Sequence, residues 1–193
     1  MTVTNPSLAK VALRDQLRAA RNELPLTEVS DAGIRIAENL LASDLFRRAA
    51  SIAAYVSVGR EPGTGRLIEE LLARNRRVIA PVVLPDLDLD WADAASGLAP
   101  ARYGLLEPVG PRLGVEAIAT PDLVLVPGMA CSPTGDRLGQ GGGCYDRALA
   151  RIPVGTPVVV VLYDHEVGLP VPVEPHDRPV THALSPSGLR RLR

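Results

Sequence analysis

The chain has 193 residues, of which 46% are apolar and 22% charged, and its formal net charge is −1. This composition is typical of a folded domain and excludes a disordered chain. The charge balance gives no general positive field for nucleic acid or an anionic membrane, and the longest apolar runs are far shorter than the roughly 20 residues that span a bilayer. We expect one domain over residues 1–193, a monomer whose partners are small molecules rather than nucleic acid or membrane.

The N-terminus and the cysteines indicate the compartment. The first residues interleave charged and apolar side chains and lack the apolar block of a signal peptide. Cys131 and Cys144 are too few for a disulfide framework and fit reduced thiols. Both features predict a cytoplasmic protein.

Two helices are predicted before any strand. Asn5 and Pro6 suit an N-cap and a first helical position, and apolar residues recur at helical spacing over residues 6–22. Thr27 is expected to cap a second helix that ends near residue 42. Together they form an N-terminal helical arm, about residues 6–42, of the single domain.

The next segments alternate between strands and a helix. Residues 51–58 and 77–83 are apolar runs predicted as strands, and between them Thr64 can cap an amphipathic helix. This order within about 30 residues indicates a right-handed crossover between parallel strands. Residues 87–94 alternate apolar and acidic side chains, as in a half-exposed edge strand, and the Pro- and Gly-rich segment up to residue 121 is predicted as a loop.

Two further runs define the fold class. Residues 122–127 and 157–164 are almost continuously β-branched, as expected of strands covered by helices on both faces. The sequence therefore predicts an α/β fold, a three-layer α/β/α architecture with a Rossmann-like, mostly parallel sheet and helices on both faces.

The segment GDRLGQGGGCYDRALAR, residues 135–151, contains five glycines. It follows the carboxyl end of strand 122–127, where open α/β sheets bind ligands, and runs into a helix predicted to begin near Gly143. Unpaired N–H groups and the positive end of the helix dipole would suit phosphate there. The segment is neither a P-loop nor a dinucleotide fingerprint, because no G-x-x-x-x-G-K-[ST] occurs and Cys144 replaces the third glycine. A flexible surface loop would explain the glycines but not the charged and aromatic residues beside them.

Five ordered segments resemble one enzyme family. GDRLGQGGGCYDRALA is similar to the signature of 5-formyltetrahydrofolate cyclo-ligases, also called methenyltetrahydrofolate synthetases, which follows a strand of the type DLVLVPG. The other segments are KVALR, YVSVGREPGT, YGLLEP and VPVEPHDRPV. The resemblance implies an ATP-dependent carbon-nitrogen ligase that uses Mg²⁺ to convert 5-formyltetrahydrofolate to 5,10-methenyltetrahydrofolate, with release of ADP and phosphate. In that chemistry the formyl oxygen is phosphorylated and is then displaced as N10 closes the ring.

The resemblance also implies roles for residues at the nucleotide. Lys10 and Arg14, four positions apart on one helical side, would reach the triphosphate. Lys10 is the only lysine among 21 lysine and arginine residues, which favours a compact ammonium there, although a solvated helix face is the alternative. Arg137 and Tyr145 are implied as catalytic residues, with Arg137 neutralising phosphate charge. The implied ATP-binding residues are Lys10, Arg14, Arg137, Leu138, Gly139, Gln140, Gly141, Gly142, Gly143, Cys144 and Tyr145.

Metal and folate residues follow from the same resemblance. Asp146 and Asp177 resemble the family's magnesium carboxylates, since Mg²⁺ is usually held by few carboxylates together with phosphate oxygens. The alternative for Asp146 is a first-turn helix acid favoured by the dipole. Glu61 resembles the acid that binds the folate. The implied substrate-binding residues are Val58, Glu61, Gln140, Gly141, Gly142, Gly143 and Tyr145.

The chain departs from the family pattern at three positions. Gly63 stands where a second acid is usual, and Gln140 and Cys144 stand where aromatic residues are common. A catalytically inactive folate- or nucleotide-binding protein on the same fold is therefore the first alternative, and a sugar-phosphate or coenzyme A enzyme on a similar scaffold is the second. Cys144 is expected to be a small apolar filler, and His176 to orient the loop that carries Asp177.

Overall fold

The computed structural model describes residues 5–193. The helices are α1 (Pro6–Glu23), α2 (Leu26–Leu41), α3 (Asp44–Arg48), α4 (Gly65–Ala73) and α5 (Cys144–Leu149). The strands are β1 (Ser51–Ala54), β2 (Arg77–Val83), β3 (Leu89–Asp93), β4 (Leu98–Pro100), β5 (Leu106–Pro108), β6 (Leu123–Pro127), β7 (Ala130–Cys131), β8 (Arg137–Leu138), β9 (Val158–Val161), β10 (His182–Ser185) and β11 (Gly188–Arg191). Within this part of the chain, every helix is too short or too polar to cross a lipid bilayer.

Seven strands form one mixed sheet in the order β11-β10-β9-β6-β1-β2-β3. The five inner strands pair in parallel, and β3 and β11 pair antiparallel at the two edges. Ala53 of β1 lies opposite both Ile79 of β2 and Val124 of β6. The parallel pairing of β1 and β2 across α4 confirms the predicted crossover between these strands.

Successive side chains of the inner strands point to opposite sides of the sheet, so both faces are apolar and both are covered. On one face, Ile52 shares a buried core with Ile36 of α2 and Leu67 of α4. On the other face, Val124 shares a core with Leu149 of α5 and with a 3₁₀ turn that precedes β6. The predicted three-layer α/β/α fold, with helices on both faces, is confirmed.

A buried ion pair fixes α1 across the carboxyl end of the sheet. The side chain of Asn5 accepts the N–H of Ser7 and caps the helix as predicted. Near the other end of α1, Arg21 Nε lies 2.7 Å from Glu166 Oε1, and Arg21 also donates to the Gly128 carbonyl. The Glu166 side chain is fully buried and that of Arg21 is 5% exposed. The C-terminal part of α1 is therefore held against the loops that follow β6 and β9.

Three predictions about element ends are wrong. Thr27 lies inside α2, which begins one residue earlier after Pro25. The first strand ends at Ala54 rather than at residue 58, because Ser57 and Thr64 exchange two hydrogen bonds of 2.9 Å that close a loop. Thr64 also donates its hydroxyl proton to the Tyr55 carbonyl, so its side chain is not available to cap α4.

The segment predicted as a loop after residue 94 contains a hairpin. β4 and β5 pair antiparallel, and Tyr103 adopts a positive φ of 60° between them. Glu107 of β5 accepts the N–H of Val83 at 2.9 Å, which ties the hairpin to the end of β2. Short strands that contain proline carry a weak local signal, and the hairpin is also held by its contact with β2, 24 positions away in sequence.

β3 is the predicted edge strand, but it is more buried than its alternating pattern indicates. Trp91 is 1% exposed, and Leu89 and Ala92 are buried as well. Leu89 and Trp91 share a core with Ile118 of the 3₁₀ turn Val115–Ala119, and Ala92, on the opposite face, is the position where burial exceeds the alternating pattern.

Candidate active site

A cavity of about 320 Å³ opens at the carboxyl ends of β6, β1 and β2, which is the position predicted for a ligand site. It brings together residues from the first helix to the segment before β10. The predicted site residues that line it are Lys10, Arg14, Glu61, Arg137, Leu138, Gly139, Gln140, Gly141, Gly142, Gly143, Cys144, Tyr145, Asp146 and Asp177. Val58 does not line this cavity; its side chain belongs to a neighbouring pocket.

Arginines from α1 hold the glycine loop, residues 139–143, in place. Arg14 donates from Nε to the Gly139 carbonyl at 2.8 Å, and Arg18 donates to the Gln140 carbonyl at 3.2 Å. Two guanidinium groups therefore lie against carbonyls of this loop, and α1 is joined directly to the segment that was predicted to bind phosphate.

Two glycines of this loop have a clear structural reason. A Cβ atom at position 139 would lie 2.8 Å from Nη1 of Arg137, closer than a Cβ atom approaches other non-hydrogen atoms. Gly141 has a φ of 109°, a conformation that is strained for any residue with a side chain. The glycines thus allow the backbone to approach the Arg137 guanidinium and to turn beside Arg14.

Arg137 is the central cation of the site. Its side chain is 2% exposed, and it donates to the Pro127 carbonyl at 3.0 Å and to Asp146 Oδ1 at 3.1 Å. Its guanidinium carbon lies 5.9 Å from the centre of the Tyr145 ring. Within residues 5–193, Nε of Arg137 is buried without a hydrogen-bond partner. Arg137, Tyr145 and Asp146 therefore form one contiguous wall, as the signature implied.

Lys10 joins α1 to the segment before β10. Its Nζ lies 2.7 Å from Glu174 Oε2 and 2.8 and 2.6 Å from the two oxygens of Asp177. Burial alone would lower the pKa of Lys10, but the hydrogen bonds with Asp177 and Glu174 raise it above its ordinary value. Burial likewise opposes the charge of Asp177, yet Lys10 holds the pKa of that carboxyl below its usual range. Both groups are therefore charged at neutral pH.

Glu61 lies in the loop after β1 and lines the same cavity. Its oxygens accept the N–H of Val58 at 3.0 Å and the side-chain amide of Gln140 at 3.3 Å. Burial raises the pKa of Glu61, although the Val58 hydrogen bond, the charge of Arg21 and the Gln140 hydrogen bond oppose the shift. Burial also raises the pKa of Tyr55 and of Tyr145, so both phenols are neutral at pH 7.

Much of the apolar wall is missing from the sequence predictions. They follow β1, lie in the last part of β2, begin β3 or belong to the hairpin: Tyr55, Val56, Pro81, Val83, Leu89, Leu105, Leu106 and Glu107. The residues at the ends of β1 and β2 could have been found, since the carboxyl ends of parallel strands share one edge. The hairpin residues gave no comparable signal. Glu174 and His176 were also missed as site residues, although both are close to Asp177 in sequence.

Gly63 lies outside the cavity lining. A Cβ atom at this position would be 3.4 Å from the Cα of Gly33 in α2, so the residue packs the loop after β1 against that helix. The departure at position 63 therefore leaves the wall of the cavity unchanged. Gln140, the second departure, lies in the site and donates to Glu61, while Cys144 contributes a half-buried thiol whose pKa is raised by burial.

Comparison with known protein sequences matches this chain to one family. Residues 6–186 match the 5-formyltetrahydrofolate cyclo-ligase family. The 5-formyltetrahydrofolate cyclo-ligase of Mycolicibacterium smegmatis is 41% identical over 150 residues, which cover 74% of this chain and 77% of that protein. The Escherichia coli K12 enzyme of the same name is 29% identical over 177 residues, covering 89% of this chain and 97% of that protein.

Solved structures agree with this match. The NMR structure of the Aquifex aeolicus 5,10-methenyltetrahydrofolate synthetase superimposes with a TM-score of 0.81 at 29% identity, covering 95% of this chain and 93% of that one. The Mycoplasma pneumoniae 5,10-methenyltetrahydrofolate synthetase, at 22% identity, has the same fold with a TM-score of 0.73 and covers 92% of this chain and 98% of that one. The resemblance inferred from five sequence segments is confirmed. The chain belongs to the 5-formyltetrahydrofolate cyclo-ligase family and is an enzyme of the ligase class.

Proposed function

We propose that the protein converts 5-formyltetrahydrofolate and ATP, with Mg²⁺, into 5,10-methenyltetrahydrofolate, ADP and phosphate. The observation that carries the proposal is one cavity lined by two chemically different sets of residues. We call Lys10, Arg14, Arg137 and the glycine loop the charged end, and Glu61 with the apolar residues that follow β1 or lie in β2 and the hairpin the apolar end. A highly charged nucleotide and a largely apolar reduced pterin would find complementary surfaces in the same space.

The charged end supplies what phosphoryl transfer requires, which is positioning and charge stabilisation. In the proposal, Lys10 and Arg14 bind the triphosphate, and Arg137 with the glycine loop stabilises charge on the transferring group. The formyl oxygen attacks the γ-phosphorus, and the bond from that phosphorus to the bridging oxygen of ADP breaks. N10 then attacks the formyl carbon and loses its proton, and the carbon–oxygen bond breaks, so the formyl oxygen leaves in phosphate.

The carboxylates of the charged end fit Mg²⁺. Asp146, Glu174 and Asp177 line the same cavity, and carboxylate oxygens are the donors that this ion prefers. Both oxygens of Asp177 contact Lys10. A carboxylate has about four lone-pair sites, so Asp177 can coordinate a metal ion at the same time. Bound there by Asp146 and Asp177, Mg²⁺ would neutralise phosphate charge.

At the apolar end, we assign the folate to Glu61 and Tyr145. Glu61 would accept N–H donors of the pterin, and the neutral Tyr145 ring beside Arg137 would contact the substrate near the reacting group. Val58 would act through its backbone N–H, which orients the Glu61 carboxylate.

The experiment is direct. Purified protein with 5-formyltetrahydrofolate, ATP and Mg²⁺ should produce the methenyl chromophore and one ADP per turnover, and omission of any component should abolish both. A folded protein without turnover would contradict the proposal. A binding protein without catalysis would instead show thermal stabilisation by folate or nucleotide and no ADP release.

A further inference from the structure

One carboxylate of the cavity has no role in the function proposed above. Glu107, on β5 of the hairpin, is half-buried in the cavity wall. Its Oε1 accepts the N–H of Val83 at 2.9 Å, and this is the hydrogen bond that its carboxylate makes within residues 5–193. The bond fixes the carboxylate against the end of β2 and leaves Oε2 able to accept from a ligand.

The order of strands places Glu107 at the folate end of the cavity. The hairpin packs on β2, which neighbours β1, and Glu61 lies in the loop after β1. The segment with Glu174 and Asp177 follows β9, on the far side of β6 from β1. Glu107 and Glu61 therefore belong to one side of the site, and the contacts of Lys10 belong to the other.

The surroundings of Glu107 suit a planar ring with polar edges. Val83 and Leu106 provide apolar surface beside it, and Tyr55 lines the same cavity. A tetrahydropterin presents several N–H donors, on its 2-amino group, N3 and N8, and one carboxylate cannot accept all of them. Both Glu61 oxygens already accept protein donors. A half-buried carboxylate oxygen that lacks a hydrogen-bond donor has lost part of its hydration. A ligand N–H therefore stabilises it more than it would stabilise a fully solvated oxygen.

We infer that Glu107 is a specificity-determining residue that accepts an N–H of the pterin through Oε2, while Oε1 remains on Val83. This rests on the proposed function and adds a second acceptor to Glu61. Gly63, in the loop after β1, packs against Gly33 of α2 and offers no side-chain acceptor. The second acceptor therefore comes from the hairpin.

The test is Glu107→Gln in the full chain, with calorimetric binding of 5-formyltetrahydrofolate and of ATP. The amide keeps an oxygen for the Val83 N–H but replaces the other acceptor with a donor, so we expect folate binding to weaken by roughly tenfold or more. ATP affinity and the melting temperature should match those of the wild type. Glu69→Gln, an exposed glutamate of α4 with the same loss of charge, is the control and should change neither affinity.

Two results would overturn the inference. Unchanged folate affinity in Glu107→Gln would show that the carboxylate contacts no ligand donor. A parallel loss of ATP affinity or a lower melting temperature would assign Glu107 to hairpin packing alone. Failure of the wild type to bind 5-formyltetrahydrofolate would be a different result, because it would remove the proposed function itself.

Discussion

At the scale of single residues, Glu61 is a carboxylate whose environment opposes its charge. Burial raises the pKa of Glu61, so the folded protein holds this proton more tightly than the unfolded chain. Between the ordinary and the raised pKa, the folded state binds more protons, and its stability falls as pH rises through that interval. The ionised form of Glu61 therefore stabilises the fold less than the protonated form does.

Glu61→Gln should remove the loss of folding stability that ionisation of Glu61 causes. We expect a higher free energy of unfolding than the wild type at neutral pH, with the difference shrinking toward about pH 4, where Glu61 itself is protonated. Urea unfolding at several pH values measures it, and folate binding should weaken in the same variant. A variant that is less stable by the same amount at every pH would show that the Val58 hydrogen bond outweighs desolvation.

Asp146→Asn distinguishes the two roles considered for Asp146, a magnesium ligand and an acid that stabilises the first turn of its helix. The amide oxygen can still accept from Arg137 and from the N–H of Arg178, so folding should be nearly unchanged. Turnover at limiting Mg²⁺ should fall by about tenfold or more, since even residues that merely orient metal ligands contribute 10- to 100-fold. Asp31→Asn, an exposed residue of α2, is the control. Comparable losses of stability and turnover would instead support the helix-acid alternative.

The residues of the site were predicted better than their contacts. The family resemblance implied that Lys10 and Asp177 share one site, but their ion pair joins positions 167 apart in sequence, which no local pattern specifies. Glu174 illustrates the same limit, since its role depends on a helix 164 positions away. Local sequence identifies a side chain with the right chemistry, whereas the fold decides what that side chain meets.

At the scale of elements, the position of α1 depends on Arg21. Its guanidinium bonds Glu166 and the Gly128 carbonyl and lies 5.6 Å from the Tyr163 ring centre. Tyr163 also donates its N–H to Glu166, so the carboxylate is satisfied from two elements. Because α1 carries Lys10, this buried pair helps to position a residue of the cavity that it does not itself line.

Arg21→Met should destabilise the protein by roughly 3–5 kcal/mol, because it leaves a fully buried carboxylate without its cation. The double variant Arg21→Met with Glu166→Leu should recover much of that loss, since an apolar pair avoids the desolvation of two charges. Urea unfolding gives both values, and Arg35→Met, an exposed arginine of α2, is the control. Equal stability of Arg21→Met and the control would show that the pair is not needed to hold α1.

Sequence patterns predicted the elements well where they are long and periodic, and poorly where tertiary contacts compete. α1 and β2 match their predicted spans closely, because their apolar spacing agrees with the surface that they bury. Thr64 shows the opposite case. A hydroxyl before a helix predicts a cap, but Ser57 and Tyr55 offer hydrogen bonds that close the loop after β1 instead.

At the scale of the whole molecule, the sheet order sorts the site into two halves. α1 and the segments that follow β6 and β9 supply the charged end, and the loop after β1 together with β2 and the hairpin supplies the apolar end. The glycine loop contacts both halves, since Arg14 binds one of its carbonyls and Gln140 reaches Glu61. Two substrates could therefore meet at this loop while each binds its own set of elements.

Hydrogen–deuterium exchange should detect this division. ATP with Mg²⁺ should slow exchange around Lys10 in α1 and in residues 174–177, whereas 5-formyltetrahydrofolate should slow it in the hairpin and in the loop after β1. The glycine loop should respond to either ligand, and β11, at the far edge of the sheet, should respond to neither and is the internal control. Protection of the same segments by both ligands would contradict the two-ended site. In that event both ligands would bind in the same region of the cavity rather than in two adjacent regions.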